Sequence, residues 1–331
     1  MIGIVGGGPI GCYLGSLVDC KVFEEHSEIG NPVQCTGLVT SEIFNLVKKD
    51  DFIVNELSDF RIKSGNEKVE LKLKKNYLLD RGKFDRYLMG KVLDRGNEVL
   101  FDSKYKNYEG NVLDVGKKFK VDKLVGADGV FSRIRNDFFK EKKYIRGVQA
   151  RIKGKFDNVI DVELGNGFSW IVPENEEVAR VGYLGESNIL EGKDVIEWQS
   201  GFIPVYDRKF KISKGNKYLV GDAAGMVKAN THGGLVPGLV GARELSKVLE
   251  KGGNYDKMFR KKIGKDLDKA LLVRNILDKF SSNDYEELIK LSRGNRVKNI
   301  LESYDRDYLN KFFWKVMINE PKFLKFFFKV F

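Results

Sequence analysis

The chain has 331 residues, about 11% of them glycine against a usual ~7%, with hydrophobic residues at 42% and aromatics at 12%. That length suggests two domains or one interrupted domain, and the composition supports a large core and excludes a disordered chain. Two histidines and three cysteines, with no CxxC and no HxxxH, argue against structural zinc, an iron–sulfur cluster or a disulfide scaffold, and no metal is expected. Free Cys12, Cys20 and Cys35 suit a reducing, cytoplasmic compartment. The formal charge is +11, of which residues 252–331 carry +7. A basic end suits nucleic acid, acidic lipid or an acidic partner, and charge alone does not choose among them.

Residues 1–18 carry no charged side chain, yet no basic residue precedes Lys21 and glycines interrupt the run at 3, 6, 7, 8, 11 and 15. This reads as a buried strand (2–5) and glycine loop, with a short helix to about Leu17, rather than a signal peptide or a membrane span. The expected protein is soluble or, at most, peripheral at the inner membrane face. A strand over 21–24 follows, then the loop Asn31-Pro-Val-Gln-Cys-Thr-Gly37. Residues 51–78 alternate apolar and charged positions, which predicts half-buried antiparallel strands. Residues 81–94 have helical spacing (Phe84, Leu88, Val92), a strand is expected over 98–101, and residues 124–129 form a buried strand running into a turn. Residues 144–184 read as strands, 218–225 as strand and turn, 233–250 as a helix entered through glycines, and the chain beyond 255 as helical.

The expected class is therefore α/β (α+β): a Rossmann-like domain with a parallel sheet, interrupted by an antiparallel-sheet domain, with a helical end. The boundaries expected are 1–50, 79–140 and 205–250 for the first domain, 51–78 and 141–204 for the second, and 251–331 for the helical region.

Gly6-Gly-Gly-Pro-Ile-Gly11 matches G-x-G-x-x-G between a strand and a helix. Gly6 permits the tight turn, Gly8 lets backbone approach a pyrophosphate, and Gly11 allows close helix–strand packing. Amides near Ile10 and Gly11 then face the phosphates. Glu24, 18 residues after Gly6, suits the ribose hydroxyls.

Two further pieces, Gly126-Ala-Asp-Gly-Val-Phe-Ser-Arg-Ile-Arg135 and Gly221-Asp-Ala-Ala-Gly225, follow in order. With the glycine turn and Glu24 they resemble the three fingerprints of the flavoprotein class typified by para-hydroxybenzoate hydroxylase. The resemblance implies FAD as cofactor, with Asp222 at the ribityl–pyrophosphate region, Gly233, Gly234 and Leu235 against the isoalloxazine, and Asp128 supporting the first turn. Glycines beside a planar cofactor agree with this, since side chains there would block it; Asp128 and Asp222 also suit turn and cap roles. No second G-x-G-x-x-G occurs, so no resident NAD(P)H domain is expected.

Within that class the chain resembles the geranylgeranyl reductase family, archaeal digeranylgeranylglycerophospholipid reductases in particular, over residues 1 to about 250. The matching pieces are Glu28-Ile-Gly-Asn-Pro-Val-Gln-Cys-Thr-Gly37, Asp80-Arg-Gly-Lys-Phe-Asp-Arg86 and Phe168-Ser-Trp-Ile-Val-Pro173. The resemblance implies that Cys35, Thr36 and Gly37 lie at the flavin, that Arg81 contacts FAD, and that backbone near Tyr105 packs at the adenine end. It further implies reduction of polyprenyl C=C bonds with electrons from an external donor, whether NAD(P)H, ferredoxin or a deazaflavin.

Cys35 has two readings: a packed small hydrophobe, or a thiol beside the flavin that positions substrate or supplies a proton. No neighbouring His or Lys in the sequence argues for a thiolate. Phe168 and Trp170 share one strand face, either as sheet core or, with Pro173, as the wall of an apolar substrate channel. The same stretch echoes the W-x-W-x-I-P motif of flavin halogenases, but Phe168 replaces the first Trp.

The chain departs from the reductase pattern at Ala229 (a usual proline), at His232 (a usual glycine) and in an apparently shortened stretch between Trp170 and Gly221. His232 is read either as titrating near the flavin or as hydrogen-bonded in place. In the tail, Lys322, Lys325 and Lys329 share one helical face and Leu324, Phe327, Phe328 and Phe331 another. That pattern suits an anionic membrane surface or packing on the helical end with the lysines in water. Nucleic-acid binding is not expected. Two rival functions remain, a flavin monooxygenase acting on a small or aromatic substrate and a non-catalytic flavin-binding membrane-surface protein.

Overall fold

The computed structural model describes residues 1–138, 143–165 and 167–329, so the expected boundary at 140–141 and Phe331 lie outside the described residues. Its architecture is the mixed α/β arrangement that the pattern of elements implies.

A six-stranded sheet runs in the order Ser213–Lys214, Lys217–Leu219, Lys123–Gly126, Ile2–Val5, Cys20–Phe23, Glu98–Leu100. All neighbours are parallel except the short Ser213–Lys214 hairpin partner. Strands buried on both faces carry unbroken apolar runs; Ile4, Val22, Leu124 and Val125 are fully buried. Helix Pro9–Gly15 packs against Arg81–Asp94 and Leu235–Lys251. Asn97 pins the turn after the first helix, donating to the Gly15 and Val18 carbonyls at 2.7 and 2.8 Å and accepting from Cys20 N at 3.0 Å.

Helix Arg81–Asp94 has the bounds its spacing predicts. Asp80 caps it by accepting from Lys83 N at 2.9 Å, and Phe84, Leu88 and Val92 form its buried stripe.

The eight-stranded sheet runs Asp194–Pro204, Tyr144–Lys153, Val178–Leu184, Phe168–Pro173, Val159–Leu164, Ile53–Ser64, Glu67–Leu79, Leu38–Thr40. Its neighbours are antiparallel except where Val159–Leu164 meets Ile53–Ser64. In Glu67–Leu79 the alternation read from sequence buries Val69 and Leu71 and leaves Glu70 in solvent.

Four features differ from expectation. Leu38–Thr40, expected with the cofactor domain, pairs with this second sheet through Leu38↔Leu78. A three-stranded meander, Asn107–Glu109, Val112–Asp114 and Lys118–Lys120, is inserted before Lys123–Gly126. An eleven-residue edge strand, Asp194–Pro204, not among the expected strands, lies between Trp170 and Gly221. The helical end is also not a free-standing unit. Ser282–Ser292 and Asn295–Ser303 lie on the second sheet, Ile289 joins its core with Leu57 and Phe60, and Arg293 and Lys290 pair with Glu67 at 2.5 and 3.4 Å.

The tail Pro321–Lys329 is a 3₁₀ helix, not an α-helix, so three residues per turn replace the expected faces. Phe323 and Phe326 point inward, Lys325 pairs with Glu287 and Lys329 with Asp284 (2.8 Å), while Leu324 and Phe328 stay exposed. No helix among the described residues is long and apolar enough to cross a membrane.

Phe84 is fully buried and meets Phe52 edge-on, with centroids 5.1 Å apart. Phe84→Ala should cost about 3–5 kcal/mol, read as a lowered urea midpoint, and should loosen the helix that carries Arg81.

Candidate functional site

The glycine turn is shaped by what cannot fit there. Gly6 has φ +104°, and a Cβ on it would sit 2.3 Å from the Ala127 carbonyl oxygen. A Cβ on Gly11 would lie 1.9 Å from the Gly6 carbonyl oxygen, so Gly11 serves helix–strand packing and stands off the cavity wall. Gly8 differs: nothing lies within 4 Å of its missing side chain, leaving an open face at the N-terminus of Pro9–Gly15. Ile10 lines the cavity beside Gly221.

Glu24 is the first residue past strand Cys20–Phe23. Its Oε2 accepts from Gly7 N at 2.6 Å, and Oε1 accepts from the backbone N of His26 at 2.9 Å and faces His26 Nδ1 at 2.6 Å. The carboxylate is thereby tied to the glycine loop. His26 was not anticipated, because a lone exposed histidine carries no signal in sequence.

Asp128 Oδ2 accepts from Arg133 N and Ile134 N at 2.9 and 3.4 Å, while its Oδ1 is buried without a partner. Burial raises its carboxyl above the ordinary range. The Tyr105 carbonyl accepts from the Arg133 guanidinium at 3.4 Å, and burial pushes the Tyr105 hydroxyl up to about 12. Asp222 sits in the 3₁₀ turn Gly221–Ala224, which Arg135 braces by donating to the Asp222 and Ala223 carbonyls, the latter at 2.6 Å. Burial raises the Asp222 carboxyl, against the pull of Arg81 and Arg135. Arg135 was missed as a site residue, although it closes the quoted Asp128 motif.

The loop ending at Gly37 is bolted to the second sheet. Arg180 donates to the Thr36 and Leu79 carbonyls at 2.6 and 2.9 Å and to Glu174 at 2.7 Å; Arg151 grips the same Glu174 at 2.9 and 2.8 Å. Burial alone would raise Glu174, yet the two guanidinium groups hold it below the carboxylate range. The Thr36 hydroxyl donates to Gln149 Oε1 at 2.6 Å, and Trp170 Nε1 donates to the same oxygen at 3.2 Å. Cys35 Sγ accepts from Gly37 N at 3.3 Å. Arg81, paired with Asp85 at 3.0 and 2.9 Å, also stands beside Cys35; against burial, Asp85 and Cys35 keep its proton bound. The cationic neighbour of Cys35 is thus an arginine 46 residues away in sequence.

Phe168 and Trp170 lie side by side, centroids 5.8 Å apart, and both line the cavity. Pro173 does not. Strand alternation puts 168, 170 and 172 on the cavity side, while Pro173 is buried off that wall with its carbonyl accepting from Asn55 at 3.0 Å. Val172 takes the place expected for it.

His232 meets Phe168 at 5.8 Å and adopts φ +58°. Its Nε2 has no partner, and burial, with Arg274 adding to it, pushes its pKa down to about 4. Asn230 Oδ1 and Thr231 Oγ1 beside it are likewise buried and unpartnered, next to Gly233, Gly234 and Leu235, where helix Leu235–Lys251 begins.

Most of these groups line one cavity of about 1090 Å³, above the usual ~300–1,000 Å³ of small-molecule sites. Its lining combines groups at Gly8, Glu24, Tyr105, Cys35, Asp222 and Gly233 with an apolar arm. That arm runs between Phe60, Ile62 and Val162 of the second sheet and Leu277, Leu288 and Leu301 of the C-terminal helices. These helices and sheet positions were not read as site residues, since any buried apolar side chain looks like core in sequence.

Cys12 is buried, and Cys20 is buried with its thiol pushed up to about 12. In the native protein at pH 7.5, iodoacetamide should therefore label Cys35 first, with Cys12 and Cys20 labelled only on unfolding, as read by peptide mass spectrometry. The His232 ring should show no NMR titration between pH 5.5 and 8. Its depressed pKa favours folding fully above about 6.5, and that contribution should fall away as pH drops toward 4.

No family model matches the chain. Digeranylgeranylglycerophospholipid reductase of Methanocaldococcus jannaschii is 26% identical, covering 98% of this chain and 96% of that protein. Reductase 2 of the same name from Methanothermobacter thermautotrophicus is 26% identical over 84% of this chain and 86% of its own. Among solved structures, a geranylgeranyl bacteriochlorophyll reductase-like protein from Thermoplasma acidophilum superposes with a TM-score of 0.80 at 19% identity, covering 97% and 98% of the two chains. Flavin-dependent halogenases share the fold at lower similarity. The chain is similar over most of its length to archaeal proteins named digeranylgeranylglycerophospholipid reductases, and it shares its fold with solved flavin-dependent enzymes.

Proposed function

We propose that the protein binds FAD and saturates C=C bonds of geranylgeranyl or related polyprenyl chains in ether-lipid precursors, drawing electrons from an external donor. The observation that carries this reading is the apolar arm, whose Phe60, Ile62, Val162, Leu277, Leu288 and Leu301 line the same cavity as Cys35, Asp222 and Gly233 and suit an extended hydrocarbon. A small aromatic substrate needs no such arm.

The residues fit the cofactor. The open face at Gly8 and the helix behind it suit a pyrophosphate. Glu24 suits a ribose diol, and the unpartnered Asn230, Thr231 and His232 atoms beside two glycines suit the polar edge of a flat ring. When bound, the flavin supplies the hydride. An isolated alkene has no carbonyl to polarise, so the protein's own part is to align the chain and exclude water. Phe168, Trp170 and the apolar arm align it. Cys35 Sγ, beside Arg81, is the candidate to hold the proton for the second carbon.

Purified protein should be yellow. Glu24→Ala and Asp222→Ala should each weaken FAD retention by roughly 10- to 100-fold, the scale of a lost hydrogen bond to a charged group, measured by fluorescence titration. Val162→Arg, placed in the arm, should abolish turnover of a long prenyl substrate and leave FAD binding intact. Without oxygen, reduced protein and a geranylgeranyl lipid should give products heavier by two hydrogens per step in mass spectra. Oxygen-dependent hydroxylation of a small substrate, with no such gain, would replace this reading by a monooxygenase.

A further inference from the structure

Lys228 is a buried cation that the cofactor motifs do not explain. The residue is 5% exposed, and its ammonium is ion-paired with Asp307, which is 2% exposed. The second Asp307 oxygen accepts from the Thr40 hydroxyl, and the Asp307 backbone N donates to Asp305 at 2.8 Å. Arg306 of the same segment donates to Asn76 at 2.9 Å. The segment carrying Asp307 is thus tied to Lys228, Thr40 and Asn76, all distant from it in sequence.

The place of that ammonium is specific. Lys228 closes its own loop, its N donating to the Gly233 carbonyl at 3.2 Å and its carbonyl accepting from His232 N at 2.8 Å. A Cβ on Gly233 would lie 3.1 Å from Lys228 Cε and 3.4 Å from Nζ. Lys228, Gly233 and Asp307 all line the cavity. Stability is a poor reason for the pair, because apolar replacements of buried ion pairs are often neutral or stabilising.

We propose that Lys228, held by Asp307, is a redox-tuning residue whose charge beside Gly233, where the flavin reading puts the ring, raises the reduction potential of the bound flavin. The inference rests on the flavin reading above. A flavin ring that takes up two electrons and one proton gains a negative charge, and in a low-dielectric site a fixed cation nearby favours that state. Lys228 itself neither gains nor loses a proton in this role, and Asp307 keeps its chain from swinging away.

The test is the two-electron midpoint potential of the flavin-loaded protein, measured by dye-coupled titration. Lys228→Gln should disfavour the reduced state at least tenfold, a fall of about 30 mV or more. Lys228→Arg, which keeps the charge, should stay within threefold of the parent. Since Lys228→Gln strands a buried Asp307, the neutral double variant Lys228→Gln/Asp307→Asn is measured too and should shift in the same direction. A melting temperature for each variant without flavin separates folding from tuning. Lowered melting temperatures with an unchanged potential in Lys228→Gln or the double variant would overturn the inference and leave a structural ion pair. A parent protein that takes up no flavin would overturn the flavin reading and this inference together.

Discussion

Gly11 meets the carbonyl of Gly6 with no room for a single carbon between them, and the site depends on that contact. The first helix can lie flat on the first strand only because its inward position has no side chain. With the helix so placed, its N-terminus points into the cavity and Gly8 presents bare backbone there. Gly7 N then reaches Glu24, and the carboxylate is fixed at the edge of the same opening. A larger residue at position 11 would tilt the helix and move every one of these groups.

The second constraint is electrostatic and holds the loops that border the cavity. Arg180 threads from Glu174 to two backbone carbonyls, one in the Cys35 loop and one at the end of Glu67–Leu79. Arg135 does the equivalent for the Asp222 turn. Backbone oxygens in loops beside a cavity lack the partners that sheets and helices supply, and an unpaired buried carbonyl is costly. Guanidinium groups, with several donors in a fixed fork, satisfy two or three at once. The loops carrying the polar half of the site are therefore held as firmly as strands.

What was legible in the sequence follows the range of the interactions. Helix Arg81–Asp94 was read to its ends because its stripe, Phe84, Leu88 and Val92, is a local signal. The glycine turn and Glu24 were read for the same reason. The meander at 107–120 escaped because three-residue strands are too short to show a period. Edge strand Asp194–Pro204 has one face in solvent, with Trp198 and Phe202 exposed, so its polarity pattern misleads. Pro173 was misplaced by one step of alternation. The tail read as amphipathic because only tertiary packing reveals that Phe323 and Phe326 turn inward. Arg180, Lys228 and Asp307 were invisible because each partner lies more than 75 residues away or depends on the finished topology.

The union of Thr40, Lys228 and Asp307 ties the start, middle and end of the chain at one point. During synthesis, the glycine turn and the first sheet emerge long before residue 307 leaves the ribosome. Until then Lys228 has no counter-ion and the apolar arm lacks the wall formed by Leu277, Leu288 and Leu301. The cavity therefore takes its closed form only once the chain has been made through Asp307.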